Sequence, residues 1–129
     1  EEVTFLKKGK QLSRNEMEDQ AYNVDFFLSL YDKKKYMYSC SGSVMEALSY
    51  LKPIIHFDNY CINNFTSKEY PIGFFAKNID EYVNIMVQII SNFDNYEDQF
   101  SYFKKNMIRM RNKVSIKNSS NNLKESFTF

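Results

Sequence analysis

The chain has 129 residues, 43% of them hydrophobic and 17% aromatic, enough apolar material for one domain with one core. Its 17 basic and 16 acidic residues leave a net charge of +1, which argues against a nucleic-acid protein held by a broad electrostatic footprint. Two cysteines without Cys-x-x-Cys spacing and a single histidine provide no zinc set, and no apolar run approaches the length of a membrane span. With 3 Gly and 2 Pro the chain has few sites for flexible linkers, and Cys40 and Cys61 read as reduced thiols of a cytoplasmic protein.

Residues 3–6 form a short apolar run, expected as a strand. Ser13-Arg-Asn-Glu16 is a capping-box pattern that opens a helix through about Tyr22. Residues 24–31, Val-Asp-Phe-Phe-Leu-Ser-Leu-Tyr, are a nearly continuous apolar run of strand length, as in strands covered on both faces. Asp32-Lys-Lys-Lys35 is a solvated polar turn, and residues 36–39 are a short strand or the approach to a loop. Ser41-Gly-Ser43 is that loop. The helix expected from Ser43 places Val44, Ala47, Leu48 and Leu51 on one face. Lys52-Pro53 stops it, because a residue before proline avoids helical angles.

Residues 54–57 are the next buried strand, 58–70 a polar loop, and 72–75 a short strand. Ile79, Tyr82, Val83, Met86, Ile89, Ile90 and Phe93 recur at helical spacing. Tyr96, Phe100, Phe103, Met107, Met110 and Val114 do the same, so residues 95–113 are expected as a long amphipathic helix with its stripe in the core. Residues 115–129, with Asn118-Ser-Ser-Asn-Asn122, read as a mobile tail.

Strands alternating with helices imply an α/β fold with a parallel sheet flanked by helices. Ligands of such sheets bind outside the carboxyl ends of the strands, where the loops at 31–36, 39–43 and 58–70 fall. A small-residue loop opening a helix presents unpaired amides and the positive end of the helix dipole to an anion. The amides of Gly42, Ser43 and Val44 and the hydroxyls of Ser41 and Ser43 are therefore the candidate diphosphate site. Each has a plainer reading. The Ser-Gly-Ser triplet also suits a tight turn. Ser43-Val-Met-Glu46 is itself a capping-box pattern, in which Glu46 folds back on the cap. Lys52 is a charge suited to a helix end. His56, the only imidazole, stands in an apolar strand where a structural role is commoner than acid–base chemistry. Asp58 and Asn59 just beyond it are candidate sugar contacts.

The run Ser41-Gly-Ser43, Glu46-Ala-Leu48, Lys52-Pro-Ile-Ile55 resembles the nucleotide-sugar-binding segment of GT-B glycosyltransferases. The apolar strand at 24–31 resembles the strand before that segment, and Ile72-Gly-Phe74 with Asn78-Ile-Asp-Glu-Tyr82 resembles the strand and helix after it. Two positions depart from the pattern. Tyr38 stands where many relatives carry a second Glu, eight positions before Glu46, and Leu51 stands where Gly precedes Lys-Pro. The broader group with a single helix Glu after a Ser-Gly loop fits better.

The resemblance implies that residues 1–114 are part of a Rossmann-like GT-B C-terminal domain. It implies a glycosyltransferase that moves a sugar from a nucleoside diphosphate sugar to an acceptor hydroxyl in cell-surface glycan synthesis. In that setting Ser41, Gly42, Ser43 and Val44 hold the diphosphate and Glu46 accepts from the ribose. No metal and no cofactor other than the sugar donor is implied. The acceptor-binding domain and the catalytic base would lie in a missing N-terminal half, so this chain is expected to be a fragment without turnover. The full-length enzyme would work in the cytoplasm or at the inner face of the membrane. A nucleotide-sugar epimerase shares the architecture and the Ser-Gly loop. A non-catalytic Rossmann-like module docking through its last helix is the alternative of a different class. A response-regulator-like domain would need an acidic cluster that Asp25, Asp32 and Asp58 do not form.

Overall fold

The computed structural model describes residues 11–31 and 42–126. The expected strands at 3–6 and 36–39, the polar turn at 32–35, and Tyr38, Cys40 and Ser41 lie outside the described residues. The first helix, α1 (Arg14–Asn23), starts where the capping box places it: Ser13 caps the amide of Glu16 and the Glu16 carboxylate accepts from the Ser13 amide at 2.8 Å. Three strands follow, β1 (Phe27–Ser29), β2 (Ile54–Phe57) and β3 (Gly73–Ala76). They form a parallel sheet in the order β1-β2-β3, giving a mixed α/β fold with a small three-stranded sheet.

Successive residues of β2 serve opposite faces, as the two-residue period of a strand requires. Ile54 joins Val44, Ala47 and Leu48 of α2 (Gly42–Tyr50), Ile62 of α3 (Tyr60–Asn63) and Met107 of α5 (Glu97–Lys113) in one buried cluster. Ile55 joins Ala76, Tyr82 and Ile89 of α4 (Ile79–Ser91), and Phe100 and Phe103 of α5, in the other. The Tyr82 hydroxyl donates to the Ile55 carbonyl at 3.1 Å, and burial pushes its pKa up to about 12.

A 3-10 turn, Phe93–Tyr96, leads into α5. Its first half packs on the α4 face and its second half on the α2 face. Phe100 stacks on Phe26 before β1, Asn106 donates to the Pro71 carbonyl before β3 at 2.8 Å, and Arg111 donates to the Ser49 carbonyl near the end of α2. The helix thus crosses beneath the amino ends of the strands and ties both faces together.

Three sequence expectations need correction. The polar segment 58–70 is not all loop: Asn59 caps the one-turn helix α3, whose Cys61 and Ile62 are buried. The helix after the Ser-Gly loop begins at Gly42, so Ser43 lies inside its first turn and is not the cap. Beyond Val114 the chain forms α6 (Ile116–Ser126) where a tail was expected. The apolar stripe of α5 is core, as read. That of α4 is only partly covered, for its Ile79, Val83 and Ile90 are exposed, as is Val87 beside them. No described helix is long and apolar enough to cross a membrane.

How α2 ends shows why Gly is common before Lys-Pro. The Lys52 amide reaches back to the Ala47 carbonyl at 2.9 Å and the Leu51 amide to Leu48 at 3.4 Å, the paired bonds of a Schellman turn. The turn puts Leu51 at φ 54, a left-handed conformation that costs an L-residue about 1–2 kcal/mol. Leu51 offsets this by packing against the α2-side cluster. Leu51→Ala keeps the strain and loses the packing, whereas Leu51→Gly loses the packing and the strain. In urea unfolding, Leu51→Gly is therefore expected to be more stable than Leu51→Ala by about 1 kcal/mol. The reverse order would show that the turn is not strained.

Candidate functional site

The carboxyl ends of β1 and β2 and the amino end of α2 meet at one edge of the sheet. At its centre the Tyr31 hydroxyl, two residues past β1, lies 3.0 Å from the Ser43 hydroxyl in the first turn of α2. Gly42 is exposed, and a Cβ built on it would meet nothing within 4 Å. Among the described residues, the side-chain direction at Gly42 is therefore unobstructed. Val44 points away and is buried in the core, so only its amide is a candidate contact. Ser41 is outside the described residues.

Glu46 is one turn further along α2, on the flank of Gly42 (i, i+4) and Ser43 (i, i+3). Its carboxylate does not fold back on the helix start. Instead Oε1 lies 3.6 Å from Nη1 of Arg14 on α1. Arg14 also donates to Glu18 at 2.8 Å and to the Tyr50 hydroxyl at 3.3 Å. This network is solvent-exposed and contributes little to stability. Below it, α1, β1 and α2 line an apolar groove of about 280 Å³, in which Glu46 is the only acidic wall residue among the described ones.

His56 lies in register between Ser29 of β1 and Phe75 of β3 and is 2% exposed. Its Nδ1 is 2.9 Å from the Phe57 carbonyl oxygen. A carbonyl can only accept, so Nδ1 carries the proton and Nε2 presents its lone pair. Burial lowers the His56 pKa, against the Phe57 hydrogen bond and the Asp58 charge. Asp58 Oδ1 accepts from Asn63 Nδ2 at 2.8 Å. Asn59 is buried, its Oδ1 accepting from the Cys61 amide at 2.9 Å. Of the two expected sugar contacts, only Asp58 is thus partly solvent-facing. Ser29 Oγ and Asn59 Nδ2 are buried without a hydrogen-bond partner, an arrangement that carries a cost.

The structure thus brings Gly42, Ser43 and Glu46 to one flank of α2 and leaves His56 and Asn59 buried in the β2 row and its exit. Two participants escaped sequence reasoning. Tyr31 meets Ser43 across a loop whose spacing carries no periodic signal, and Arg14 meets Glu46 from another helix. Among the described residues no three His, Cys, Asp or Glu side chains converge as metal ligands would. No protein-family description, curated protein or solved structure matches the chain.

The lowered His56 pKa has a definite sign. The folded state disfavours the imidazolium, so the unfolded chain binds the extra proton first as pH falls through about 6.5. Stability is full above that pH and declines below it, at up to about 1.4 kcal/mol per pH unit. Urea unfolding at pH 7.5 and pH 5 should show this loss, and His56→Gln should flatten it. An equal slope in the variant would assign the acid sensitivity to other groups.

Proposed function

We propose that this domain binds the diphosphate and ribose of a nucleoside diphosphate sugar at the amino end of α2, as the donor-binding part of a GT-B-like glycosyltransferase. The observation that carries the reading is the first turn of α2, with its exposed Gly42, at the carboxyl edge of a parallel sheet, with Glu46 on the same flank. Three features support it: the order strand, loop, helix, Lys-Pro strand; the sheet order β1-β2-β3; and the exposure of Gly42. The fold would then be half of a Rossmann-like sheet, and the acceptor site and catalytic base would belong to a second domain.

In this reading the amides of Gly42, Ser43 and Val44 and the Ser41 and Ser43 hydroxyls take the diphosphate. The helix dipole and the amides stabilise the leaving group as its charge develops. Glu46 exchanges its exposed contact with Arg14 for a ribose hydroxyl, a trade between two wet partners that costs little. Full-length protein would associate with the inner face of a membrane through its other parts.

A second reading, a non-catalytic interaction module, draws on the exposed flank Ile79, Val83, Val87 and Ile90 of α4, which is longer than scattered surface hydrophobics. Nucleotide binding separates the two. Calorimetry with UDP, GDP and CMP is expected to show binding of one nucleoside diphosphate, weakened about tenfold by Glu46→Ala, which removes a charged hydrogen-bond acceptor. Gly42→Ala should raise stability by about 0.5 kcal/mol, since Ala suits a helical position better, yet weaken binding by filling the approach. Equal affinities in wild type and both variants would defeat the donor-site reading.

A further inference from the structure

The geometry points to a second anion site, for a phosphate-bearing small ligand, in the groove between the 64–71 turn and the last two turns of α5. The groove holds about 410 Å³, within the size range of small-molecule sites. It lies on the amino side of the sheet, away from the first turn of α2.

Its two walls are joined by three contacts. Tyr102 donates to the Glu69 carbonyl at 2.8 Å and Asn106 to the Pro71 carbonyl at 2.8 Å. Arg109 lies 3.7 Å above the centre of the Tyr70 ring. These three contacts recur along one side of α5 and zip it to the turn. The contact over the Tyr70 ring restricts the Arg109 guanidinium, which reduces the freedom lost when its N–H groups engage a phosphate.

The hydrogen-bond balance in the groove favours an acceptor ligand. Thr66 Oγ1 accepts from the Ile72 amide at 3.3 Å and Ser67 Oγ from the Tyr70 amide at 3.0 Å. A hydroxyl whose oxygen already accepts retains one O–H to donate. Arg109 and Lys113, one turn apart on α5, add charged donors, and no Asp or Glu is among the described residues that line the groove. Glu69 is the acid closest in effect to Arg109, and its charge opposes an anion only from outside the wall. The negative end of the α5 dipole also opposes one, but that effect is confined to the last turn, where Lys113 offsets it.

Titration of the labelled protein with inorganic pyrophosphate at low salt tests the site. The Thr66, Ser67 and Tyr70 amides and the Arg109 side-chain signal are expected to shift saturably. Arg109→Gln should weaken binding by about tenfold, and Arg109→Lys should recover only part of it, because a point charge lacks the forked donor set. Lys113→Gln gives an independent reading if Arg109→Gln is poorly folded. Co-sedimentation with vesicles containing phosphatidic acid, competed by pyrophosphate, separates a lipid headgroup from a soluble ligand; either source fits the groove. Absence of shifts at these residues, shifts confined to residues 42–46, or equal affinity in wild type and Arg109→Gln would overturn the site. The 42–46 amides report separately on the α2 site, so the two proposals fail independently.

Discussion

Everything in this fold hangs on four residues, Ile54–Phe57, whose backbone pairs on both edges and whose side chains are used on both faces. A parallel central strand is stable only when each face is covered, and here Ile54 and Ile55 each seed a cluster. The Schellman turn at Leu51 aims the chain from α2 into this strand, and Pro53 contributes its carbonyl to the Phe27 amide at 2.8 Å. Gly73 is the strand's tightest neighbour: a Cβ there would stand 1.8 Å from the Ile54 carbonyl oxygen, so β3 can approach β2 only with glycine at that point.

The two ends of the sheet are treated differently, and this difference organises the chemistry. At the amino ends of the strands α5 meets Phe26 before β1 through Phe100 and Pro71 before β3 through Asn106. At the carboxyl ends, among the described residues, β2 runs through a short exit into α3, and the first turn of α2 lies at the same edge. A helix start presents amides and a positive dipole end; a helix side tied to a turn presents side-chain donors. The first arrangement supports the proposed donor site and the second the proposed groove, and each follows from which end of the sheet a helix covers.

Much of the architecture was legible because it rests on local signals. Residues 54–57 form a four-residue apolar run bounded by Lys-Pro and Asp-Asn, and the strand occupies those positions. The Ser13 capping box starts α1 as written, and helical periodicity marks α4 and α5. The misses are non-local or small. A single turn such as α3 has too few residues to show a period, and only the Asn59 cap and the burial of Ile62 reveal it. The plainer reading of Glu46, a cap folding back on Ser43, fails because the chain is already helical at Gly42 and an arginine on another helix meets the carboxylate. Periodicity announces a helix without saying which flank its neighbours cover, which is why Val83 and Val87 are exposed while Tyr82 and Ile89 are buried. The resemblance in the Ser41–Ile55 segment stands on motif and element order alone.

The most direct test of the donor-site reading is residue-resolved mapping of amide shifts as UDP, GDP and CMP are added to the labelled protein. The account predicts that one nucleoside diphosphate moves the Gly42, Ser43, Val44 and Glu46 amides together, with a smaller response at Asp58 across the edge. Movement confined to other surfaces, or none at any of these amides with any of the three nucleotides, would contradict it.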